Sequence, residues 1–91
     1  MIHEAFSPMT DVKMYTTRVC PYCVAAKRLL TARSIPYEEI DVSTDDAKRA
    51  WLVTATGRRT VPQIFIGGES IGGYDELAAL DQSGQLAAKV G

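Results

Sequence analysis

The chain has 91 residues, which is enough for one compact domain and too few for two. Hydrophobic residues make up 46% and charged residues 23%, the balance of a globular domain rather than of a disordered or fibrous chain. Because 10 basic and 11 acidic residues give a formal net charge of -1, nucleic-acid binding is not expected. No apolar run approaches the roughly 20 residues that span a bilayer, so no membrane contact is expected either.

The beginning of the chain differs from the rest. Residues 1–10 have no clear periodicity and contain Pro8. They also lack the basic start and the sustained apolar run of a signal peptide. We therefore expect a flexible tail over 1–10, a single folded domain over 11–91 and a cytoplasmic location.

The first half of the domain predicts two strands and two helices in alternation. Residues that favour strands predict β structure over Val12–Tyr15. Pro21 suits the first position of a helix, where its missing N–H costs nothing, and helical spacing of apolar residues follows it. A second strand is predicted over Tyr37–Val42, with Glu38 and Glu39 on its solvated side.

The second predicted helix follows a cluster of hydroxyl and acidic residues. Ser43 and Thr44 can cap a helix, and the acids that follow favour its first turn. Gly57 is a suitable residue to end it. Its expected buried residues are Ala47, Ala50 and Trp51.

The second half of the domain predicts a hairpin followed by helices. A strand over Val61–Ile66 leads into Gly67-Gly68, a strong signal for a two-residue hairpin turn, and the chain returns along Glu69–Ile71. Tyr74 opens a third helix, and Gln85–Val90 predicts a further short one. The order β-α-β-α-β-β-α, with that extra C-terminal helix, predicts an α/β fold: a four-stranded mixed sheet with helices on both faces.

Two cysteines, Cys20 and Cys23, carry the clearest chemical signal. A structural zinc site needs about four ligands, so one such pair predicts redox chemistry and no metal site. Cys20 lies where the predicted helix begins, near Arg18, and both features favour the thiolate that attacks disulfides. Cys23 lies one turn later, faces inward and is expected to be less ionised.

Three segments together resemble the signature segments of dithiol glutaredoxins, and the small bacterial members most closely. They are Cys20-Pro21-Tyr22-Cys23, Thr60-Val61-Pro62-Gln63-Ile64-Phe65 and Gly72-Gly73-Tyr74-Asp75-Glu76. The resemblance covers roughly residues 12–90. It implies a thioredoxin-like fold and glutathione-dependent reduction of protein–glutathione mixed disulfides and protein disulfides. It also implies that Cys20 is the nucleophile and Cys23 the resolving cysteine.

The resemblance further implies a site for glutathione. Its residues are Arg18, Tyr22, Arg58, Thr60, Val61, Pro62, Gly73, Tyr74 and Asp75. A cis Val61-Pro62 bond leaves the Val61 backbone to pair with the cysteinyl part of glutathione. Tyr74 and Asp75, at a helix start, match the position that binds the γ-glutamyl end, and Arg58 matches one that binds the glycyl carboxylate.

The sequence departs from the family pattern at one position. Thr17 stands three residues before the nucleophile, where many glutaredoxins have a lysine that contacts the glycyl carboxylate. Arg18 is the neighbouring cation that can take its place. This substitution bears on the strength of glutathione binding rather than on its existence.

The resemblance implies no tightly bound cofactor, with glutathione as a cosubstrate. The expected partners are glutathione, glutathionylated or disulfide-containing proteins and, through glutathione, glutathione reductase; a monomer is expected. One alternative is an iron–sulfur carrier that holds its cluster as a glutathione-ligated dimer, against which Pro21 argues. Another is a redoxin reduced by thioredoxin reductase, against which Arg58 and Asp75 argue.

Overall fold

The computed structural model describes residues 10–91. The elements are β1 (Val12–Thr16), α1 (Pro21–Ala32), β2 (Glu38–Asp41), α2 (Asp46–Thr56), β3 (Gln63–Ile66), β4 (Glu69–Gly72), α3 (Tyr74–Gln82) and α4 (Gln85–Val90). Within this part of the chain, no helix is long and apolar enough to cross a membrane. The predicted tail over 1–10 lies outside the described residues except for Thr10, whose N–H donates to the Val90 carbonyl at 3.0 Å.

The four strands form one mixed sheet in the order β2-β1-β3-β4. β2 runs parallel to β1, whereas β3 is antiparallel to both β1 and β4. Gly67 and Gly68 form the predicted turn with φ values of 58° and 84°. Glycine suits both positions, because a tight hairpin of this kind needs left-handed backbone at its two central residues.

Helices cover both faces of the sheet, as the sequence predicts. On one face α1, α3 and α4 bury Leu30, Leu77 and Leu86 against Met14 and Ile64 of the central strands. These five side chains are at most 1% exposed, so this face holds the main core. α2 lies on the opposite face, where a smaller cluster contains Tyr15, Val42 and Leu52.

The prediction that α2 buries Ala47, Ala50 and Trp51 is wrong. Its buried residue is Leu52, whereas both alanines are exposed and Trp51 is 47% exposed. Among the helices of residues 10–91, α2 is alone on its face, so only a narrow stripe of it is buried. Trp51 instead packs over the two central strands, with its ring 5.9 Å from Phe65 of β3 and 5.6 Å from Tyr15 of β1 between centroids.

The cap of α2 also differs from the prediction. Asp45, not Ser43 or Thr44, is the N-cap residue, and its Oδ1 accepts the Lys48 N–H at 2.9 Å. The Ser43 hydroxyl oxygen accepts the N–H of Arg18 at 2.8 Å. Gly57 ends the helix with a left-handed φ of 72°, as predicted.

The topology brings three chain segments to one edge of the sheet. Tyr15 pairs with Gln63, so the end of β1 lies beside the start of β3. Ile64 pairs with Gly72, so the end of β4 lies at the same edge. The start of α1, the loop before β3 and the start of α3 therefore meet there.

Candidate active site

The two cysteines are held at the N-terminus of α1. Cys20 is the N-cap residue in extended conformation, Pro21 occupies the first turn, and the Cys23 N–H donates to Cys20 Sγ at 3.2 Å. Both cysteines are free, and Cys20 is partly exposed. The N–H donor and the positive end of the helix dipole stabilise negative charge on Cys20 Sγ.

The environment of Cys23 is very different. The residue is 1% exposed and packed inside the domain. Burial is the main reason why its pKa is raised to about 12, and its hydrogen bond with Cys20 adds to the effect. At neutral pH Cys23 is therefore a protonated thiol, and Cys20 is the partly exposed residue of the pair.

The loop before β3 lies directly against Cys20. The Cys20 thiol donates to the Val61 carbonyl oxygen at 3.5 Å. The Val61-Pro62 peptide bond is cis, as the family resemblance implies. Pro62 itself is buried, so this loop forms a fixed wall beside the nucleophilic sulfur.

A cleft of about 240 Å³ opens between these segments. We call it the active-site cleft. Its lining residues are Tyr22, Arg58, Thr60, Val61, Pro62, Gly73, Tyr74, Asp75 and Glu76. The structure therefore brings together every residue predicted for glutathione binding except Arg18.

Arg18 lies outside the lining of the active-site cleft. Its backbone N–H donates to Ser43 Oγ. The pKa of Asp41 is lowered mainly by hydrogen bonds from Ser43, and the charge of Arg18 contributes. The contact between Arg18 and glutathione therefore stays a prediction. The hydrogen bond to Ser43 joins residues 25 positions apart, which the local sequence around Arg18 does not indicate.

Two aromatic rings and one glycine shape the active-site cleft. The rings of Tyr22 on α1 and Tyr74 on α3 lie 6.4 Å apart between centroids, with an interplanar angle of 31°. A Cβ atom on Gly73 would lie 3.2 Å from the Pro62 carbonyl oxygen. The absence of a side chain at Gly73 therefore lets the start of α3 approach the loop closely.

Glu76 is a cleft residue that the sequence reasoning missed. Its Oε1 accepts the Gly73 N–H at 2.7 Å and lies 3.3 Å from Arg58 Nη1. The Gly73 N–H is the main cause that lowers the pKa of Glu76, and Arg58 contributes. A glutamate three residues after an N-cap position is the signature of a capping box, so this pattern could have identified the residue.

The cleft combines groups that suit a small zwitterionic thiol ligand. Arg58 provides a cation, Asp75 an anion, and the start of α3 backbone N–H groups that attract a carboxylate. Within residues 10–91, no group of three or more His, Cys, Asp or Glu side chains is placed to hold a metal ion. The arrangement supports disulfide exchange at Cys20 with a ligand bound alongside.

Comparisons with known proteins agree with one another. The family model described as Glutaredoxin matches residues 12–71. Glutaredoxin 3 of Escherichia coli (strain K12) is 45% identical over 78 residues, which cover 86% of this chain and 94% of the relative. The solution structure of glutaredoxin from Brucella melitensis is 43% identical with a TM-score of 0.84, covering 92% and 91% of the two chains. A crystal structure of a buckwheat glutaredoxin–glutathione complex is 32% identical with a TM-score of 0.84, covering 89% of this chain and 76% of that one.

Proposed function

Because the chain belongs to the glutaredoxin family of glutathione-dependent thiol-disulfide oxidoreductases, we propose that it reduces protein–glutathione mixed disulfides and protein disulfides. The single observation that carries this proposal is the position of Cys20. The residue is partly exposed, and its sulfur accepts an N–H from the start of α1 and contacts Val61, which lines the active-site cleft. Glutathione is the cosubstrate in this proposal, and no tightly bound cofactor takes part.

Deglutathionylation needs one protein thiol. The Cys20 thiolate attacks the glutathionyl sulfur of the substrate, forms a Cys20–glutathione disulfide and releases the protein thiolate, which takes up a proton. The thiolate of a second glutathione then attacks the glutathionyl sulfur. Oxidised glutathione leaves, and Cys20 returns to its thiolate.

Reduction of a protein disulfide needs both cysteines. Cys20 attacks one sulfur of the substrate and forms a mixed disulfide. Cys23 loses its proton, attacks Cys20 Sγ and releases the reduced substrate, leaving a Cys20–Cys23 disulfide. Two glutathione molecules then restore both thiols and leave as oxidised glutathione.

The cleft suggests how glutathione would be oriented. Its cysteinyl backbone would pair with the Val61 backbone, like a short added strand. Its γ-glutamyl carboxylate would face the backbone N–H groups at the start of α3, with Asp75 near its amine. Arg58 is the lining cation available for a ligand carboxylate.

A comparison of Cys20→Ser and Cys23→Ser tests the proposal. Turnover of a glutathionylated peptide is followed with glutathione, glutathione reductase and NADPH. We expect Cys23→Ser to keep this activity and to lose reduction of a protein disulfide, whereas Cys20→Ser loses both. Activity of neither wild type nor Cys23→Ser, together with reduction of the wild-type disulfide by thioredoxin reductase, would refute glutathione dependence.

The proposal also includes a cellular location and the protein partners. Turnover by glutathione requires a compartment in which glutathione is kept largely reduced, such as the cytoplasm. The protein partners are those that carry a glutathionylated or disulfide-bonded cysteine. The described steps use one copy of the chain, so a monomer suffices.

A further inference from the structure

The resolving step poses a chemical problem at Cys23. The thiol must lose its proton before it can attack Cys20 Sγ, yet it lies 1% exposed inside the domain. Burial of a thiolate is unfavourable unless a positive charge or hydrogen-bond donors compensate it. The surroundings of Cys23 therefore decide how readily a mixed disulfide on Cys20 is resolved.

A hydrogen-bonded cluster joins α1 to the first two strands beside this thiol. Thr16 Oγ1 donates to Glu39 Oε2 at 2.8 Å, and Lys27 Nζ donates to the same oxygen at 2.9 Å. Thr16 is fully buried, whereas the side chains of Lys27 and Glu39 are 32% and 37% exposed. Glu39 thus holds the ammonium group of the partly exposed Lys27 side chain beside α1.

The position of Lys27 relates this cluster to Cys23. The two residues are four apart on α1, so their side chains leave the same face of the helix. The backbone of Thr17, the residue after Thr16, is one of the groups that lower the pKa of Cys23. The ammonium group is therefore anchored at the end of β1 that borders the buried thiol.

The positive charge of Lys27 favours the thiolate form of Cys23, which the resolving step requires. Lys27 lowers the pKa of Cys23, although burial dominates and the net shift is upward. The other titratable groups that act on these two side chains are Cys20, Glu39 and Tyr37. Among these three groups, Cys23 and Lys27, the positively charged side chain is that of Lys27.

We propose that Lys27, held in place by Glu39 and Thr16, stabilises the Cys23 thiolate as it forms and thereby accelerates resolution of the Cys20 mixed disulfide. This inference rests on the proposed function. In the assisted step, the proton of Cys23 passes to water, and the Cys23 thiolate forms a bond to Cys20 Sγ. The bond from Cys20 Sγ to the substrate sulfur breaks, and that sulfur leaves with the electron pair.

Lys27 has no role in the reactions that bypass Cys23. Attack by Cys20 on a glutathionylated substrate precedes resolution, and turnover by a second glutathione does not use Cys23. Replacement of Lys27 should therefore slow one step and leave the other unchanged. A merely structural role for the Lys27–Glu39 pair would not separate the two steps.

The test is a single-turnover experiment on the full chain. The reduced protein is mixed with a glutathionylated peptide in the absence of free glutathione, quenched with acid at intervals and analysed by intact mass. Release of the peptide reports attack by Cys20, and conversion of the glutathionylated protein to the internal disulfide reports attack by Cys23. The variants are Lys27→Met, the charge-conserving Lys27→Arg and, as a matched control, Arg28→Met on the exposed side of α1.

We expect Lys27→Met to slow the second step by roughly two- to fivefold, the effect of a partly exposed charge, and to leave the first unchanged. Lys27→Arg should restore the second rate, and Arg28→Met should change neither. An unchanged second rate in Lys27→Met, or an equal loss in both steps, would overturn the inference. A wild-type protein that never acquires the glutathionyl group would instead overturn the proposed function on which the inference rests.

Discussion

The guanidinium of Arg58 lies 3.3 Å from the carboxylate of Glu76 inside the active-site cleft. The cation available for a glutathione carboxylate is therefore already paired with an anion of the protein. Their side chains are 44% and 45% exposed, so water and salt weaken the pair. An incoming carboxylate has to compete with Glu76, and this competition limits what Arg58 contributes to binding.

Removal of the Glu76 charge should therefore improve binding of the glutathionyl group. Glu76→Gln keeps an amide oxygen that can accept the Gly73 N–H, so the helix cap is retained. An exposed ion pair is worth up to about 1 kcal/mol, so we expect the KM for a glutathionylated peptide to fall by roughly two- to fivefold. Steady-state kinetics at low salt measures this value.

Two arginine variants control this prediction. Arg58→Met should raise the KM, because it removes the cation, whereas Arg59→Met should leave it unchanged, because Arg59 does not line the cleft. A KM that rises in Glu76→Gln would show that Glu76 orients Arg58 rather than competing for it.

The residues of the cleft were predicted through the resemblance to glutaredoxins, whose signature segments are short and local. Val61-Pro62 and Gly73-Tyr74-Asp75 lie in short loops and at a helix start, where adjacent residues act together. Cys20 likewise caps its own helix and needs only Cys23, three residues later, for its N–H donor. Once the strand order places these segments at one edge, the site follows.

The parts that were not predicted depend on contacts between distant segments. The backbone N–H of Arg18 donates to Ser43, and Glu39, expected to be merely solvated, binds the hydroxyl of Thr16 and the ammonium of Lys27. How much of α2 is buried depends on how many helices pack on the same face of the sheet. The spacing of apolar residues within α2 carries no information about that number. For this reason Trp51 was assigned to the core although it lies at its edge.

Cys23 should make the reduced protein less stable at alkaline pH. Its pKa is about 12 in the folded state against an ordinary value of 9.0, so the folded protein retains a proton that the unfolded chain loses. The free energy of unfolding therefore falls as pH rises above about 9. Guanidinium unfolding under a reducing agent, followed by circular dichroism at neutral pH and near pH 10, should show a larger loss in wild type than in Cys23→Ser. Equal losses in the two proteins would contradict this account.

Trp51 should contribute to stability despite its exposure. Its ring stacks on Phe65 at an interplanar angle of 28° and also contacts Tyr15. We expect Trp51→Ala to lower the free energy of unfolding by about 1–2 kcal/mol, less than the roughly 3–5 kcal/mol typical of a buried tryptophan. Leu52→Ala, on the buried stripe of the same helix, should cost about 2–5 kcal/mol. Chemical denaturation gives both values. A larger loss of stability for Trp51→Ala than for Leu52→Ala would mean that Trp51, rather than Leu52, anchors α2 on the sheet.

Gly73 and Gly57 should separate binding from stability. At Gly73 φ is -102°, which alanine adopts without strain, but the added Cβ would press on the Pro62 carbonyl and lie 3.8 Å from Arg58 Nη2. Gly73→Ala should therefore raise the KM for a glutathionylated peptide several-fold, with a small change in stability.

At Gly57 φ is 72° and no atom lies within 4 Å of the new Cβ, so Gly57→Ala should lower stability by about 1 kcal/mol and leave the KM unchanged. Kinetics and denaturation on both variants test the pair, and a KM effect from Gly57→Ala equal to that from Gly73→Ala would show that the cleft responds to the end of α2 rather than to its own wall.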